Sequence, residues 1–295
     1  MPSLELVLLG TSSPLHSAHR FGPAQVIIGG DVRILVDCGW GATLRLYQAT
    51  IRLPSVSAVF FTHLHSDHTT DFADFLVMRW IHGSGKPLPV YGPEGTANMV
   101  EGFRQALSAD TRFRLAHHGE KLSSVGTACE VTEISAGETP KEIAKLGDVT
   151  ISAFAVDHRP VIPAFGFRIE RAGRVITISG DTNPCPGLIE GARDAGILVC
   201  DSMNREMMNE LQGNLRNAGQ ELEAMLLADA HSYHASTHDA ARVAAEAGVK
   251  HLVMSHLMPP VPEEGPQLEQ FLSGVEAIFG GKVTVGRDLE RFRLD

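Results

Sequence analysis

The stretch Thr62-His63-Leu64-His65-Ser66-Asp67-His68 follows directly on the apolar run Ala58-Val59-Phe60-Phe61. Such an apolar run predicts a buried strand, so the ligand-type side chains come where a strand ends and a loop begins. The first two histidines are two residues apart and suit one cation. The aspartate and the last histidine come after the chain has turned and can face a second cation. The pattern therefore predicts a metal site, and imidazole with carboxylate favours zinc, iron or manganese.

Two metals need more ligands than this stretch offers, and three other apolar runs supply candidates. Each run has the length of a strand and is followed by one histidine or aspartate: 149–155 precedes His158, 175–179 precedes Asp181, and 251–254 precedes His256. Because α/β sheets bind ligands at the ends of their strands, four such ends at one edge fit a common site.

These motifs resemble the metallo-β-lactamase superfamily: H-L-H-S-D-H at 63–68, a histidine after a strand, S-G-D-T at 179–182 and S-H-L at 255–257. Within it, the chain looks most like the branch that holds ribonuclease Z and the arylsulfatase-like hydrolases. L-G-T at 9–11, V-D-C-G at 36–39 and P-A-F-G-F at 163–167 resemble that branch too. The similarity runs from about residue 4 to residue 259 and so covers most of the chain.

The resemblance implies two divalent metal ions per chain, first of all zinc, with manganese or iron as alternatives. One metal would be held by His63, His65 and His158, the other by Asp67, His68 and His256, and Asp181 would bridge the two. Asp37 would lie behind these ligands and hydrogen bond a histidine, which fixes the tautomer of that ring.

The segment Tyr233-His234-Ala235-Ser236-Thr237 resembles the family segment whose leading histidine lies beside the metals without being a main ligand. The resemblance makes His234 a catalytic residue. Imidazole titrates near neutral pH, so it can protonate a leaving oxygen or stabilise developing charge. The expected reaction is hydrolysis by water that the two metals activate, with Asp67 orienting that water.

Substrate contacts are expected from two places near the motif. Arg20 and Phe21 lie in the first loop, and Arg79 and Trp80 lie in the helix after the motif. The segment 203–233 is rich in methionine and leucine, which predicts packing on the body of the protein. It leaves open a lid over an apolar substrate or a subunit contact in a homodimer.

Length and charge limit the class of protein. The candidate ligands span most of the 295 residues, so we expect one domain over residues 1–295. The chain begins with a strand pattern rather than a signal peptide, and no apolar run approaches the roughly 20 residues of a membrane span. We therefore expect a cytoplasmic protein that does not bind membranes. The net charge of −10 argues against nucleic acid as partner and for a small-molecule substrate.

Apolar periodicity orders the chain into two groups of strands with helices between them. The first group is predicted at 4–10, 25–29, 32–37, 58–61 and 88–91, with helices at 40–49, 71–81 and 96–109. The second group is predicted at 130–134, 149–156, 164–170, 175–179, 197–200 and 251–254, and 115–127 is predicted as a loop. Such a pattern indicates two sheets face to face with helices outside. The resemblance names this fold the αββα sandwich, an α/β fold of two mixed sheets.

Two departures from the nucleases bear on the substrate. Ribonuclease Z enzymes commonly insert a long arm after the segment matching 163–167, and the arm grips the tRNA elbow. Here only residues 168–174 separate that segment from the next strand. The nuclease motif D-C-G-E-G-T reads D-C-G-W-G-A at 37–42, so Trp40 replaces an acid. Both departures favour a small-molecule hydrolase over tRNA processing.

Three classes of function therefore compete. The first is a dinuclear metal-dependent hydrolase of a small ester, such as a sulfate ester, phosphodiester, lactone or related amide. The alternative is a ribonuclease Z-type endonuclease that acts on tRNA 3′ ends. The third is a di-iron redox protein or a metal-free scaffold on the same fold. Because the di-iron form typically shows H-x-E-x-D, the middle residue His65 favours hydrolysis.

Overall fold

Two sheets of seven strands each form the centre of the molecule in a computed structural model, which describes residues 2–15 and 17–295. In spatial order the first sheet contains β14 (Arg291–Leu294), β1 (Leu4–Gly10), β2 (Ala24–Gly29), β3 (Val32–Val36), β4 (Ala58–Phe60), β5 (Leu88–Gly92) and β6 (Cys129–Glu133). The second contains β13 (Lys282–Val285), β12 (His251–Met258), β11 (Ile197–Met203), β10 (Arg174–Ile178), β9 (Phe165–Arg171), β8 (Val149–Ala155) and β7 (Lys141–Leu146).

Helices flank the two sheets. They are α1 (Ala42–Gln48), α2 (Ser66–Thr69), α3 (Phe72–Ile81), α4 (Thr96–Ala106), α5 (Ser108–His118), α6 (Pro186–Ala192), α7 (Arg205–Asn217), α8 (Glu221–Ala230), α9 (Thr237–Glu246), α10 (Pro266–Phe271) and α11 (Val275–Ile278). Among the residues described, no helix has the length and apolar character needed to cross a membrane.

The apolar core lies in three layers, as expected for sheets packed face to face between helices. Between the sheets, side chains of the first such as Phe60 pack against side chains of the second such as Phe167. The two outer layers lie between each sheet and its own helices. The predicted αββα sandwich of two mixed sheets is confirmed.

Strand direction explains why the predicted ligands can meet at one edge. In the second sheet β10, β11 and β12 are parallel neighbours, and β8 is antiparallel to β9, which is antiparallel to β10. The carboxyl ends of β8, β10, β11 and β12 therefore point the same way. At this edge the Phe165 amide donates to the Thr62 carbonyl across 2.9 Å and joins the second sheet to the motif after β4.

Three differences from the predicted elements have a physical reason. The helix predicted at 96–109 ends at Ala106, and α5 then continues to His118 through much of the predicted loop. Because α5 has no buried residue, it carries no apolar stripe that could have revealed a helix. The edge strands β7, β13 and β14 were missed because each is short or partly exposed.

Gly39 shows how tightly the first loop packs beneath the motif. A Cβ added there would lie 2.3 Å from the Asp67 carbonyl oxygen and 2.7 Å from the Pro23 nitrogen, both backbone atoms that cannot move cheaply. The Gly39 amide also donates to the Pro23 carbonyl across 3.0 Å. This position therefore requires glycine and holds α2 against the loop before α1.

We predict opposite effects for two glycine-to-alanine changes. Gly39→Ala should lower the free energy of unfolding by about 1–3 kcal/mol, the usual cost of overpacking. Gly102→Ala should raise it by about 0.5–1 kcal/mol, because Gly102 lies inside α4 with no atom near its Cβ position. Urea unfolding of both variants measures this difference. Equal stability of Gly39→Ala and the parent protein would contradict the packing described.

Candidate metal centre

The structure brings all seven predicted ligand residues to one edge of the sandwich. His63 and His65 lie in the turn after β4, and Asp67 and His68 lie in the short helix α2. The other three come from the second sheet: His158 follows β8, Asp181 follows β10, and His256 lies within β12. Six of the seven side chains are buried, and His65 is exposed.

One group of ligand atoms comes from three histidines and one carboxylate. His63 Nε2 lies 3.0 Å from His65 Nδ1, which lies 3.3 Å from His158 Nε2. Asp181 Oδ2 lies 3.8 Å from His63 Nε2 and 3.9 Å from His158 Nε2. All four atoms fall within 4.8 Å of one another, so these residues could hold a metal ion.

A second group lies on the other side of Asp181. His256 Nε2 and His68 Nε2 lie 3.3 and 3.5 Å from Asp67 Oδ2. Asp181 reaches both rings, with Oδ1 3.3 Å from His68 Nε2 and Oδ2 3.3 Å from His256 Nε2. Asp181 thus contacts both groups, as a bridging ligand would.

The buried atoms of the cluster fit divalent metals. His68 Nε2 and Asp181 Oδ1 are buried 3.3 Å from each other, and neither atom makes a well-aligned hydrogen bond with the residues described. Burial alone would lower the pKa of His68 and of His256, but the Asp181 and Asp67 carboxylates outweigh it and raise both. The site therefore favours added positive charge, and imidazole with carboxylate suits zinc, manganese or iron.

Asp37 fixes the orientation of one ring in the cluster. Its Oδ2 lies 2.9 Å from His68 Nδ1, and its Oδ1 accepts from the Thr62 amide across 2.9 Å. The Thr62 hydroxyl also donates to Asp37. With Nδ1 engaged in this way, the Nε2 atom of His68 faces the cluster.

His234 lies beside the cluster and pairs with a residue that sequence reasoning missed. Its Nδ1 lies 2.9 Å from Asp201 Oδ2 and 4.0 Å from Asp181 Oδ2. Burial lowers the pKa of His234 to about 4, and burial together with Asp181 raises the pKa of Asp201 well above its usual range. Asp201 was detectable as the carboxylate in the otherwise uncharged strand β11, whose seven residues are all buried.

The four predicted substrate contacts lie in other surroundings. Arg20 is buried, and its guanidinium donates to the Val261 and Gly286 carbonyls. Phe21 stacks on Trp40 with ring centroids 4.9 Å apart. Arg79 and Trp80 are buried on α3 and donate to the Lys86 and Ser123 carbonyls. These bonds and contacts serve the fold, and substrate contact at the four positions stays a prediction.

A cavity of about 610 Å³ opens directly above the cluster. Its floor contains the polar side chains His65, Asp67, Asp181 and His234. Its facing wall is apolar and comes from α7 and α8, so the segment 203–233 contains a helical hairpin that covers one side of the site.

The connection between β9 and β10 is short. Arg171 pairs with Arg174 across a turn of two residues, so a tight hairpin stands where the nucleases insert an arm.

Comparisons with known proteins agree with this geometry. The family model described as "Beta-lactamase superfamily domain" matches residues 32–257. The chain is 36% identical over 295 residues to a protein named Ribonuclease Z from Mycolicibacterium paratuberculosis, a match that covers 99% of both chains. A protein of the same name from Mycobacterium bovis is also 36% identical, with 99% of this chain and 98% of the relative covered.

Solved structures share the fold at low sequence identity. The metallo-β-lactamase fold protein YhfI from Bacillus subtilis has a TM-score of 0.72 at 17% identity, with 99% of this chain and 100% of that chain covered. The short form of human tRNase Z has a TM-score of 0.69 at 20% identity, with 98% of each chain covered. The superfamily fold implies a dinuclear metal site. The chain therefore belongs to the metallo-β-lactamase superfamily, in the branch of ribonuclease Z, and is a metal-dependent hydrolase.

Proposed function

We propose that this chain is a dinuclear, zinc-dependent phosphodiesterase that cleaves RNA near tRNA 3′ ends, in the manner of ribonuclease Z. The observation that carries the proposal is that Asp181 contacts histidines of both ligand groups, with the His234–Asp201 pair within reach of the same carboxylate. The choice of RNA rests on the curated relatives, which are 36% identical over their whole length and named Ribonuclease Z.

This proposal reverses the preference drawn from the missing arm. The alignment of 295 residues covers 99% of this chain and 99% of the M. paratuberculosis relative, so the two proteins have nearly the same length. A protein of this length is therefore named Ribonuclease Z, and the short β9–β10 turn does not exclude this chain from that branch. Trp40, which stands where the nuclease motif has an acid, packs against Phe21 of the first loop. We therefore attribute this replacement to packing between the two rings.

We assign the metal ligands as two sets that share one residue. His63, His65 and His158 would hold one ion, Asp67, His68 and His256 the other, and Asp181 both. When bound, the two ions supply Lewis acidity at the phosphoryl oxygens and lower the pKa of water near them. Asp37 keeps Nε2 of His68 turned toward the centre. Asp67, on the cavity floor, can accept a hydrogen bond from the attacking water.

We assign to His234 the transfer of the proton that the leaving oxygen needs. Asp201 engages Nδ1 and leaves Nε2 as the other ring nitrogen, on a side chain that lines the cavity. The low pKa of His234 and the raised pKa of Asp201 favour a neutral pair in which the carboxyl group keeps its proton. Nε2–H can then protonate the leaving oxygen while Asp201 passes its proton to Nδ1.

Two observations favour a second candidate, a hydrolase of small esters such as sulfate esters, phosphodiesters or lactones. The cavity wall is apolar and the chain carries a net charge of −10, which weakens attraction for RNA. A small substrate with an apolar group would suit such a wall.

The main proposal predicts endonucleolytic cleavage of a precursor tRNA with a 3′ trailer by zinc- or manganese-loaded protein. His63→Ala should abolish the cleavage, whereas His82→Ala, an exposed histidine on another face, should leave it unchanged. Gel analysis of labelled RNA gives the cleavage site and rate. Cleavage of bis(p-nitrophenyl) phosphate, an aryl sulfate or a lactone without any cleavage of the precursor would overturn the RNA assignment and promote the second candidate.

The proton-transfer role predicts a dependence on the leaving group. His234→Ala should keep its metal content but lose roughly 10²-fold or more in turnover on RNA, the usual scale for a lost general acid. The loss should shrink for p-nitrophenyl esters, whose leaving group departs without a proton. Asp201→Asn should show the same trend more weakly, because Asp201 acts through His234.

His238→Ala is the matched control for this series, since His238 lies one turn further along and bonds the Ser273 carbonyl instead. Its turnover should match that of the parent protein. An equal loss across the leaving-group series for His234→Ala would argue against proton transfer, and a loss of metal would reassign His234 as a ligand.

A further inference from the structure

The wall of the cavity has an unusual composition for a phosphodiesterase site. Opposite the polar floor, the α7–α8 hairpin contributes leucines and one carboxylate: Leu211, Leu215, Leu226, Leu227 and Glu223. We call these five residues the hairpin wall. A phosphate oxygen gains no hydrogen bond from leucine, and Glu223 repels it, so the wall does not favour a second phosphate group.

The hairpin wall is not part of the packed core. Leu226 is 58% exposed although it lines the cavity, and Leu211 and Leu215 keep part of their surface open. Within the hairpin wall, Leu227 packs against the apolar cluster of Met203, Met208 and Met258, which lies beneath the hairpin. That contact holds the wall in place while its leucines remain available to a ligand.

The volume and polarity of the cavity limit what can occupy it. About 610 Å³ is within the range of pockets that hold drug-sized ligands, which are mostly apolar with a few polar groups. The polar floor suits a phosphoryl group, and the leucines suit an uncharged flat ring attached to it. Glu223 can accept a hydrogen bond from an amino group on such a ring.

We propose that the hairpin wall binds an uncharged aromatic ring next to the substrate's phosphoryl group, either a nucleobase on the neighbouring ribose of RNA or the aryl group of a small phosphodiester. This inference rests on the proposed function, because the metal centre must hold the phosphoryl group beside which the ring lies. The hairpin wall thereby selects substrates that carry such a ring beside the phosphoryl group.

Calorimetric titration tests the wall without relying on turnover. We compare diphenyl phosphate with dimethyl phosphate on zinc-loaded protein, since the two share a phosphodiester group and differ in their rings. Diphenyl phosphate should bind at least about tenfold more tightly, in keeping with the discrimination that an apolar pocket gives. The double variant Leu215→Ser/Leu226→Ser should reduce this preference to about twofold or less.

Leu222→Ser is the matched control. Leu222 is 65% exposed on the same helix and lies outside the lining of the cavity, so this variant should keep the full preference. A third ligand, the methyl phosphodiester of uridine 3′-phosphate, distinguishes the two sources of the ring. Binding as tight as that of diphenyl phosphate indicates a nucleobase, whereas binding as weak as that of dimethyl phosphate indicates a small aryl substrate.

Three results would overturn the inference: equal binding of the diphenyl and dimethyl esters, a preference that survives in the double variant, or a dimer that both the double variant and Leu222→Ser convert to monomers. The last result would make the wall a subunit contact. A clear ring preference in a protein that cleaves no phosphodiester would leave the ring site standing and refute the proposed function instead.

Discussion

The buried carboxylate of Asp181 is the group on which the rest of the site depends. It lies 3.3 Å from both His68 Nε2 and His256 Nε2, and 3.8–3.9 Å from His63 and His158. A buried charge is costly unless it is paired or coordinates a metal. The histidines hold the pKa of Asp181 well below its usual range, against the effect of burial. Divalent cations between these rings and this carboxylate would balance the charge of the two ligand carboxylates, Asp67 and Asp181.

The sandwich assembles this cluster by bringing the ends of separate strands to one edge. The motif after β4 belongs to the first sheet, whereas His158, Asp181 and His256 belong to the second. The Phe165–Thr62 hydrogen bond joins these parts, and the close packing of Gly39 beneath Asp67 holds α2 in place within the first part. Sites built on rigid elements keep their geometry better than sites built on loops alone.

Much of this arrangement could be predicted from the sequence because it depends on local patterns. A ligand residue after an apolar run marks a strand end, and four such ends were visible at 63–68, His158, Asp181 and His256. The resemblance then supplied the pairing of ligands into two sets, which spacing alone leaves open.

Other features depend on long-range packing and left little trace in the sequence. Asp201 is 33 residues from His234, and their pairing requires knowing that β11 ends beside the loop before α9. Arg20 seemed free to meet a substrate, but carbonyls more than 200 positions away bind it in the fold. The packing of the α7–α8 hairpin determines where its leucines point. The sequence alone therefore left open both a lid and a subunit contact.

The central claim is that the cluster around Asp181 holds two metal ions. X-ray diffraction from crystals of zinc-loaded protein, measured at the zinc absorption edge, tests it most directly. We expect two anomalous peaks roughly 3.5–4 Å apart, as in other two-metal sites. One should lie among His63, His65 and His158, the other among Asp67, His68 and His256, with Asp181 between them. A single peak after full loading, or peaks outside the cluster, would contradict the account.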